Sequence, residues 1–509
     1  MNKPMKKSLA QPRRHTRCAA PQRPPMFSSL FFTALTALFV TSLAGCAVGP
    51  DYQRPDIDLP QDWRAANSTA AETTLTTLRQ TDSAGQRWWS LYADPVLDHL
   101  IDEALLHNAD AALAAGRVLE ARALAGLSDA DRYPSVSAGL SGNRSKSSQL
   151  GTFPLADLPR TQNDYRATLD ARYEIDWWGK YRHASEAARA DLFAAESARE
   201  AVRLSLTAQV AQQYFALLAA DAQTTVAQRT LASRGETLAL FKQRLAAGTL
   251  AEYDLHQAEA AHAATRAQLA SLRQGQNRAE SALALLLGRS PRAVMDGRIE
   301  RGSPAAITDL LIPAGLPSDL LLRRPDLREA EEKLVAANAR IGAARAEYFP
   351  SLGLTAYLGG ESVAFSKLFT GPAGIFQFAA GLTQPLWNAG RIGAQVDASE
   401  ARRDQALAHY RKAVANAFKD VRDALAAQDA ARETLAAETA RASALGKALK
   451  QAQLRFAAGI ASRLDLLDVE RNLLNAELAR IDSERARKAA LADIFKALGG
   501  GWADSAGGG

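Results

Sequence analysis

The sequence contains the same pattern twice, and this duplication limits the fold more than any other feature. The motif at 244–255 is Arg-Leu-Ala-Ala-Gly, five further residues and Asp-Leu, and it returns 211 residues later at 455–466 with one Leu replaced by Phe. A second pair is formed by Tyr-Pro-Ser at 133–135 and Phe-Pro-Ser at 349–351, which are 216 residues apart. An internal repeat of this length predicts one architectural unit built from two equivalent halves.

The first 45 residues are organised like a secretory signal peptide. A basic stretch is followed by an apolar run from Met26 to about Val40 and then by Leu43–Cys46, which reads Leu-Ala-Gly-Cys. The apolar run is shorter than the ~20 residues that cross a bilayer as a helix. Leu-Ala-Gly-Cys resembles a bacterial lipobox, which predicts cleavage before Cys46 and covalent attachment of diacylglycerol and palmitate to it. An uncleaved signal anchor is the alternative. Because Ala47 rather than Asp follows the Cys, we expect the outer membrane as destination.

The net charge of +6 belongs to this leader, which has seven basic residues and no acid. Without these seven residues the chain has 54 basic and 55 acidic residues, a net charge of −1, so we expect no nucleic-acid partner. Cys18 and Cys46 are the only cysteines, and the seven histidines have no His-x-x-x-His spacing. The sequence therefore predicts neither a disulfide nor a metal site in the mature chain, and no cofactor besides the lipid.

Two long segments without proline, 180–245 and 391–458, are rich in helix-forming Ala, Leu, Arg, Glu and Gln. A helix of ~60 residues is ~90 Å long. The second segment also has the three-four spacing of a coiled-coil seam, at Leu407, Val414, Phe418, Val421 and Leu425. The pattern fits long helices that form a wall with water on both sides. An ordinary coiled-coil rod would have the same pattern.

Four short runs alternate between apolar and polar residues, as membrane β-strands do. The clearest is 165–174, where Tyr, Ala, Leu, Ala and Tyr alternate with Arg, Thr, Asp, Arg and Glu. We predict strands at about 133–145, 164–177, 348–360 and 374–387, with apolar residues outward and polar residues toward a lumen. A half-buried soluble sheet would alternate as well. The candidate lumen-facing residues are Arg166, Asp170, Arg172 and Glu174.

Aromatic residues cluster at one end of these predicted strands. If the four runs are two up-and-down hairpins, their starts and ends meet at a common rim, where Tyr and Trp are typical of a membrane–water interface. The candidate interface residues are Tyr133, Trp177, Trp178, Tyr348, Phe349 and Trp387. Four strands cannot close a barrel, and lipid does not tolerate an open sheet edge, so we expect the chain to oligomerise.

Three segments carry a resemblance to a known family. Residues 46–55, 316–327 and 336–351 resemble signatures of outer-membrane efflux lipoproteins of the TolC/OprM type, NodT branch. The resemblance covers essentially the whole mature chain. It implies a mainly α-helical fold with a membrane β-barrel: a homotrimer with twelve strands, four from each chain, continued by a long periplasmic α-helical barrel. It also implies a passive duct for small molecules, a periplasmic adaptor (membrane fusion) protein, and an inner-membrane pump of the RND type.

The resemblance assigns two candidate sites to the repeated motif. Asp465 and Asp468 follow the second Ala-Ala-Gly turn and resemble the acidic periplasmic gate of the family, and Asp254 is the equivalent acid in the first half. In a trimer each position would place three carboxylates near one axis, which favours cations. The alternative is that these acids stabilise helix N-termini. The turns themselves resemble hairpin tips that contact the adaptor, at Gly248, Thr249, Gly459 and Ile460, or they are purely structural turns.

The sequence keeps three other functions open. A periplasmic coiled-coil scaffold lipoprotein would explain the heptads and the lipobox but not the four strands. The outer-membrane duct of a type I protein-secretion system would share the fold. An enzyme is the most distant alternative, because no nucleophile–base set, metal cluster or phosphate loop is present. The predicted divisions are a signal peptide at 1–45, a lipid-anchored periplasmic segment at 46–95, a first repeat at 96–288, an equatorial linker at 289–316, a second repeat at 317–499 and a flexible tail at 500–509.

Overall fold

The computed structural model describes residues 48–58, 87–148, 150, 159–304, 322, 324–458, 460 and 462–500. The predicted signal peptide, the predicted lipidation site Cys46 and the predicted tip residue Gly459 lie outside the described residues.

Both halves follow the same order of elements. Each contains a helix, two strands, a helix of 67 residues and a helix of 35 residues. At ~1.5 Å per residue the longer helices reach ~100 Å, slightly more than predicted. A short 3-10 helix at Trp88–Tyr92 precedes the first half. The elements are α1 Pro95–His107, α2 Ala109–Ala130, β1 Ser135–Lys146, β2 Thr161–Ile175, α3 Lys180–Ala246, α4 Glu252–Leu286, α5 Pro291–Asp296, α6 Pro325–Ala346, β3 Ser351–Ser362, β4 Gly374–Thr383, α7 Arg391–Ala457 and α8 Arg463–Ala497.

The strands form one antiparallel sheet in the order β1-β2-β3-β4. β1 and β3 begin directly after Pro134 and Pro350, because proline cannot donate to the ladder and is tolerated at a strand start. β2 and β4 end at Ile175 and Thr383, earlier than predicted. The aromatic residues that we expected at the strand ends therefore lie in the turns between strands and helices.

Two apolar clusters connect the helices. The first joins the segment before α1 to α3, α4 and α8, and in it the ring of Trp88 stacks on that of Phe495 with centroids 5.2 Å apart. The second joins α6, α7 and the end of α8. The predicted seam of α7 is part of the second cluster: Val414 and Val421 are buried, and Leu407, Phe418 and Leu425 pack against them.

The helices contact one another in the same order as the strands that they flank. α2 contacts α3, α3 contacts α6, and α6 contacts α7. Since α2 leads into β1 and α7 follows β4, these four helices continue the four strands from one edge of the protomer to the other.

Candidate functional site

The sheet has one face of mainly polar side chains and one of mainly apolar side chains. The register places Arg172 opposite Ser135 and Thr355, and Asp170 opposite Ser137 and Tyr357. The four predicted lumen-facing residues, Arg166, Asp170, Arg172 and Glu174, therefore lie on one face with the Ser, Thr and Tyr residues of the neighbouring strands. This shared side is called the polar face below.

The opposite side is the apolar face. Leu169 pairs with Ala138 on one strand and Leu358 on the other, and Leu358 pairs with Phe376. The large apolar side chains of this face are exposed on the protomer. Val136, for example, is 70% exposed and Phe378 is 77% exposed. A contiguous apolar surface of this kind is rare on soluble monomers. Strands of 10 to 15 residues with one such face suit a lipid bilayer.

Two charged residues of the polar face, Arg166 and Asp170, have partners within the sheet. The guanidinium of Arg166 lies 4.5 Å from the ring centroid of Tyr357 and 4.0 Å from a carboxylate oxygen of Glu361. The hydroxyl of Thr168 donates to Asp170 at 2.8 Å. Glu361 and Tyr357 were missed from the sequence, although the odd-numbered positions of the third run could have indicated them.

The six predicted interface aromatics divide into two groups. Tyr133, Trp177, Tyr348 and Trp387 are exposed, with Trp387 reaching 88%. Trp178 and Phe349 are half-buried and stack on each other, their ring centroids 4.6 Å apart. The indole Nε1 of Trp178 also donates to the carbonyl of Pro350 at 2.8 Å. The first group is available to a membrane surface, whereas the second ties the end of β2 to the start of β3.

The first hairpin tip, between α3 and α4, is an exposed turn. Gly248 has φ of +70°, a left-handed conformation that favours glycine, and the backbone N–H of Thr249 donates to the carbonyl of Arg244 at 2.9 Å. Helix α4 then begins after Ala251 without a side-chain cap. Asp254 lies in its first turn.

The second tip, between α7 and α8, repeats the turn but starts its helix differently. The N–H of Ile460 donates to the carbonyl of Arg455 at 2.8 Å, and the Ile460 side chain is 69% exposed. Ser462 and Asp465 form a reciprocal capping box at the start of α8. The hydroxyl of Ser462 donates to the Asp465 carboxylate at 2.7 Å, and this bond lowers the pKa of Asp465.

The second predicted gate acid also has partners within the chain. Asp468 forms an ion pair with Arg471 and accepts a hydrogen bond from the amide of Asn472 at 3.1 Å. Asp465 and Asp468 are thus fixed by their own helix in the protomer. The helix-capping alternative holds for Asp465, and it is compatible with a carboxylate that also faces an axis.

An arginine that the sequence did not indicate joins the two tips. Arg463, at the start of α8, has its guanidinium 4.7 Å from the ring centroid of Phe241 on α3 and 5.4 Å from that of Phe456 on α7. Burial lowers the pKa of Arg463. A cation held between two aromatic rings stabilises the contact between the hairpins.

Two further findings concern the described residues. No group of three or more His, Cys, Asp and Glu side chains among them is arranged to hold a metal ion. None of the helices in the described part is both long enough and apolar enough to cross a membrane.

Comparison with known proteins decides the family. Residues 100–289 and 316–500 match the family described as outer membrane efflux protein. The chain belongs to this family. It is 36% identical over 472 residues to the probable outer membrane lipoprotein SilC of Salmonella typhimurium, covering 92% of this chain and 98% of that protein. It is 35% identical over 461 residues to the cation efflux system protein CusC of Escherichia coli strain K12, covering 90% and 97%.

A solved structure shows the same fold. The CmeC outer membrane channel of Campylobacter jejuni superposes with a TM-score of 0.84 at 26% identity, covering 90% of this chain and 96% of that one. The predicted fold class, a mainly α-helical chain with four barrel strands and an internal repeat, is confirmed. The protein is an outer-membrane channel subunit of a tripartite efflux pump, with helices that extend into the periplasm. Membership of an efflux family favours efflux over protein secretion and over a scaffold role.

Proposed function

We propose that three copies of this chain form a passive duct that performs no catalysis. The observation that carries the proposal is the four-stranded sheet with one continuous apolar face, whose edge strands β1 and β4 are not paired on their outer sides by any described residue. In lipid every backbone donor and acceptor needs a partner. Pairing of β1 with β4 of the next copy satisfies both edges, and three copies give the twelve strands expected from the sequence.

The helices support the same closure. α2 is continuous with β1 at one edge of the protomer, and α7 is continuous with β4 at the other. α2 buries Ala114 and Val118 but leaves leucines exposed on its remaining surface. Apolar contact with α7 of the next copy would remove these side chains from water. They are Leu113, Leu119, Leu124 and Leu127.

The second hairpin is the proposed gate. Three copies of Asp465 and Asp468 around one axis would form rings of carboxylates that attract cations and narrow the periplasmic opening. Asp254 contributes from the first hairpin. Arg463 supports this assignment, because it packs the start of α8 against Phe241 on α3 and so fixes the position of the acids.

The two tips are the proposed contact surface for a periplasmic adaptor that connects the duct to an inner-membrane pump of the RND type. Gly248, Thr249, Gly459 and Ile460 lie at these turns in the sequence. The exposed side chain of Ile460 supports the proposal, since an apolar residue on a solvent-facing turn is suited to a protein partner.

The proposed anchor is a diacylglycerol and palmitate modification of Cys46. The lipobox-like sequence supports it, and the relative SilC is itself described as an outer membrane lipoprotein. Mass spectrometry of the mature N-terminus measures this modification directly.

Single-channel conductance in planar bilayers tests the duct and its gate. Asp465→Asn and Asp468→Asn remove the charges. Asp465→Asn keeps an oxygen for both bonds from Ser462, whereas Asp468→Asn keeps an acceptor for only one of the two bonds that Arg471 and Asn472 donate to separate oxygens of Asp468. We expect a small, cation-selective conductance in the parent, and a larger, less selective one in the double variant. Asp482→Asn is the matched control, because Asp482 is an acid on the same helix, is paired with Arg485 and lies far from the tip.

The outcomes separate the two parts of the proposal. If the parent conducts and the Asp465/Asp468 double variant conducts equally, the duct stands and the gate residues are wrong. If neither protein conducts and the purified chain is a monomer, the trimeric duct is wrong.

A further inference from the structure

The mature N-terminal segment Val48–Asp58, called the N-terminal strap below, lies against α6. Its contacts follow one order along the helix. A Cβ placed on Gly49 would lie 2.8 Å from the Cα of Gly342. The amide of Asn338 donates to the carbonyl of Pro50 at 2.7 Å. Tyr52 and Arg54 both contact Glu331.

The spacing of these contacts shows that the strap is extended and runs antiparallel to α6. Gly342 and Glu331 are eleven helical residues apart, a rise of ~16 Å. Gly49 and Arg54 are five residues apart, which spans ~17 Å when the chain is extended. The two lengths agree, as expected for an extended strap. Since α6 leads into β3, the strap begins at the membrane end of α6 and continues away from the sheet.

Glu331 is the main polar contact of the strap. Its two carboxylate oxygens accept from Nε and a terminal nitrogen of Arg54 at 2.7 and 2.5 Å, and the hydroxyl of Tyr52 donates to it at 3.1 Å. Bidentate pairs of this type fix geometry as well as adding attraction. Burial, together with the charge of Glu331, raises the pKa of Tyr52.

Apolar side chains of the strap complete the contact. Tyr52 and Ile57 pack against the cluster formed by α6, α7 and α8. Neighbouring Asp51, Gln53 and Asp56 are exposed. The strap thus holds Tyr52 and Ile57 against the helices, while Gln53 and Asp56 between them face water.

We propose that the N-terminal strap positions the membrane anchor, with Glu331 as its positioning residue. The inference rests on the proposed lipidation of Cys46. Docking of the strap fixes the position of Gly49 on α6. Because three residues of chain reach at most ~11 Å, the backbone of a lipidated Cys46 then stays within that distance of a fixed point on the helix. Release of the strap lengthens the tether and separates the position of the lipid from that of the barrel.

The test combines Glu331→Gln with the presence or absence of the lipid. Each variant is expressed as the lipoprotein and as a Cys46→Ser form that is exported by an ordinary signal peptide. Glu329→Gln is the matched control, because Glu329 is an acid on the same helix that pairs with Lys333 instead of the strap. Two quantities are measured: the amount of assembled channel in the outer membrane, and the mobility of a spin label on a Cys introduced at Gln53.

We expect Glu331→Gln to shift the ratio of docked to released strap by roughly tenfold, the size of one charge-assisted contact, and to increase label mobility. In the lipidated protein the amount of assembled channel falls, whereas in the Cys46→Ser form Glu331→Gln has no further effect. Such non-additivity is the signature of two changes that act on one function. The exchanged pair Arg54→Glu with Glu331→Arg restores assembly.

Four results overturn the inference. Equal losses in the lipidated and lipid-free forms would make Glu331 a purely structural residue. A mobile label with normal assembly would show that strap docking does not position the anchor. An unmodified Cys46 in the mass spectrum would overturn the proposed lipidation as well, whereas a lipidated Cys46 with equal behaviour of the Glu331 and Glu329 variants would overturn this inference alone.

Discussion

The two halves of the chain share their order of elements and their helix lengths but differ where those elements meet. At the tips, the helix that follows the turn begins after Ala251 without a side-chain cap in the first half, and with a Ser462–Asp465 capping box in the second. Where the second half has Asp468, the first has Gln257. A duplicated fold thus needs only the common helices and turns, and single positions within it are free to differ.

The same contrast appears at the far ends of α4 and α8. Gly288 and Gly499 both follow these helices with positive φ, +72° and +85°. A Cβ on Gly288 would lie 2.1 Å from the backbone carbonyl oxygen of His107, whereas one on Gly499 would lie 3.1 Å from Cγ and 3.2 Å from the backbone Cα of Arg324. The left-handed conformation is common to both halves, but the backbone approach is about 1 Å closer in the first.

The largest predicted effect follows from this difference. Gly288→Ala must strain φ and also push apart α4 and the α1–α2 turn, so we expect a loss of about 3–5 kcal/mol in the free energy of unfolding. Gly499→Ala should cost less, about 1–2 kcal/mol, because Arg324 would have to shift by only a few tenths of an ångström. Gly248→Ala, with φ of +70° and open space, should cost about 1 kcal/mol. Urea unfolding followed by circular dichroism measures the series.

The order of the three glycine variants decides the comparison. If all three lower stability equally, the left-handed backbone accounts for the whole effect and the halves do not differ in packing. A Gly288→Ala protein as stable as the parent would mean that the approach of His107 is not required for folding.

The second prediction concerns the turns between strand and long helix. Trp178→Ala removes a half-buried ring stacked on Phe349 and a hydrogen bond to Pro350, so we expect a loss of about 2–3 kcal/mol. Trp387→Ala, in the corresponding turn of the second half, removes an exposed ring and should change stability by about 0.5 kcal/mol or less. Thermal unfolding in detergent measures both. Equal losses would show that Trp387 has a packing partner in the assembled channel.

Much of the fold could be predicted from the sequence because its patterns are long and regular. The two segments without proline became α3 and α7, and the alternation in 165–174 separated the polar from the apolar face of β2. The ends of the strands were less predictable. Pro134 and Pro350 set the starts of β1 and β3, because proline lacks the N–H that a strand donates, whereas the strands predicted from the aromatic residues began before these prolines.

Only part of the candidate site could be predicted from the sequence. The family resemblance indicated Asp465 and Asp468, but not that Ser462 holds the first in a capping box or that Arg471 pairs with the second. The Arg463 contact with Phe241 joins residues more than 200 positions apart, and no local pattern encodes such a distance. The strap was missed for the same reason, since Arg54 and Glu331 meet only after α6 has folded.

The third prediction exchanges the caps of the two hairpins. Ser462→Ala removes one side-chain acceptor at the start of α8, and we expect roughly fivefold faster hydrogen exchange of the first amides of that helix. Ala251→Ser places a hydroxyl three residues before Asp254 and should slow exchange at the start of α4 by a similar factor. Unchanged exchange at the start of α4 would mean that Asp254 cannot complete a capping box, and that the halves differ in backbone geometry as well as in sequence.

The smallest effect is a dependence on pH at the second tip alone. The hydrogen bonds from Ser462 hold the pKa of Asp465 below its ordinary value of about 3.9. A carboxyl whose pKa is lowered in the folded state stabilises that state at pH values above its ordinary pKa. This contribution is lost as the pH falls through the lowered pKa.

Protection of the first amides of α8, corrected for intrinsic exchange, should therefore decrease on acidification below about pH 4 in the parent. In Ser462→Ala this additional decrease should be smaller, because the side-chain hydrogen bond that lowers the pKa most is gone, while the backbone N–H at position 462 still donates to Asp465. A decrease of the same size in both proteins would assign the acid sensitivity to another carboxylate, and Asp468, which pairs with Arg471 one helical turn further on, would be the next to substitute.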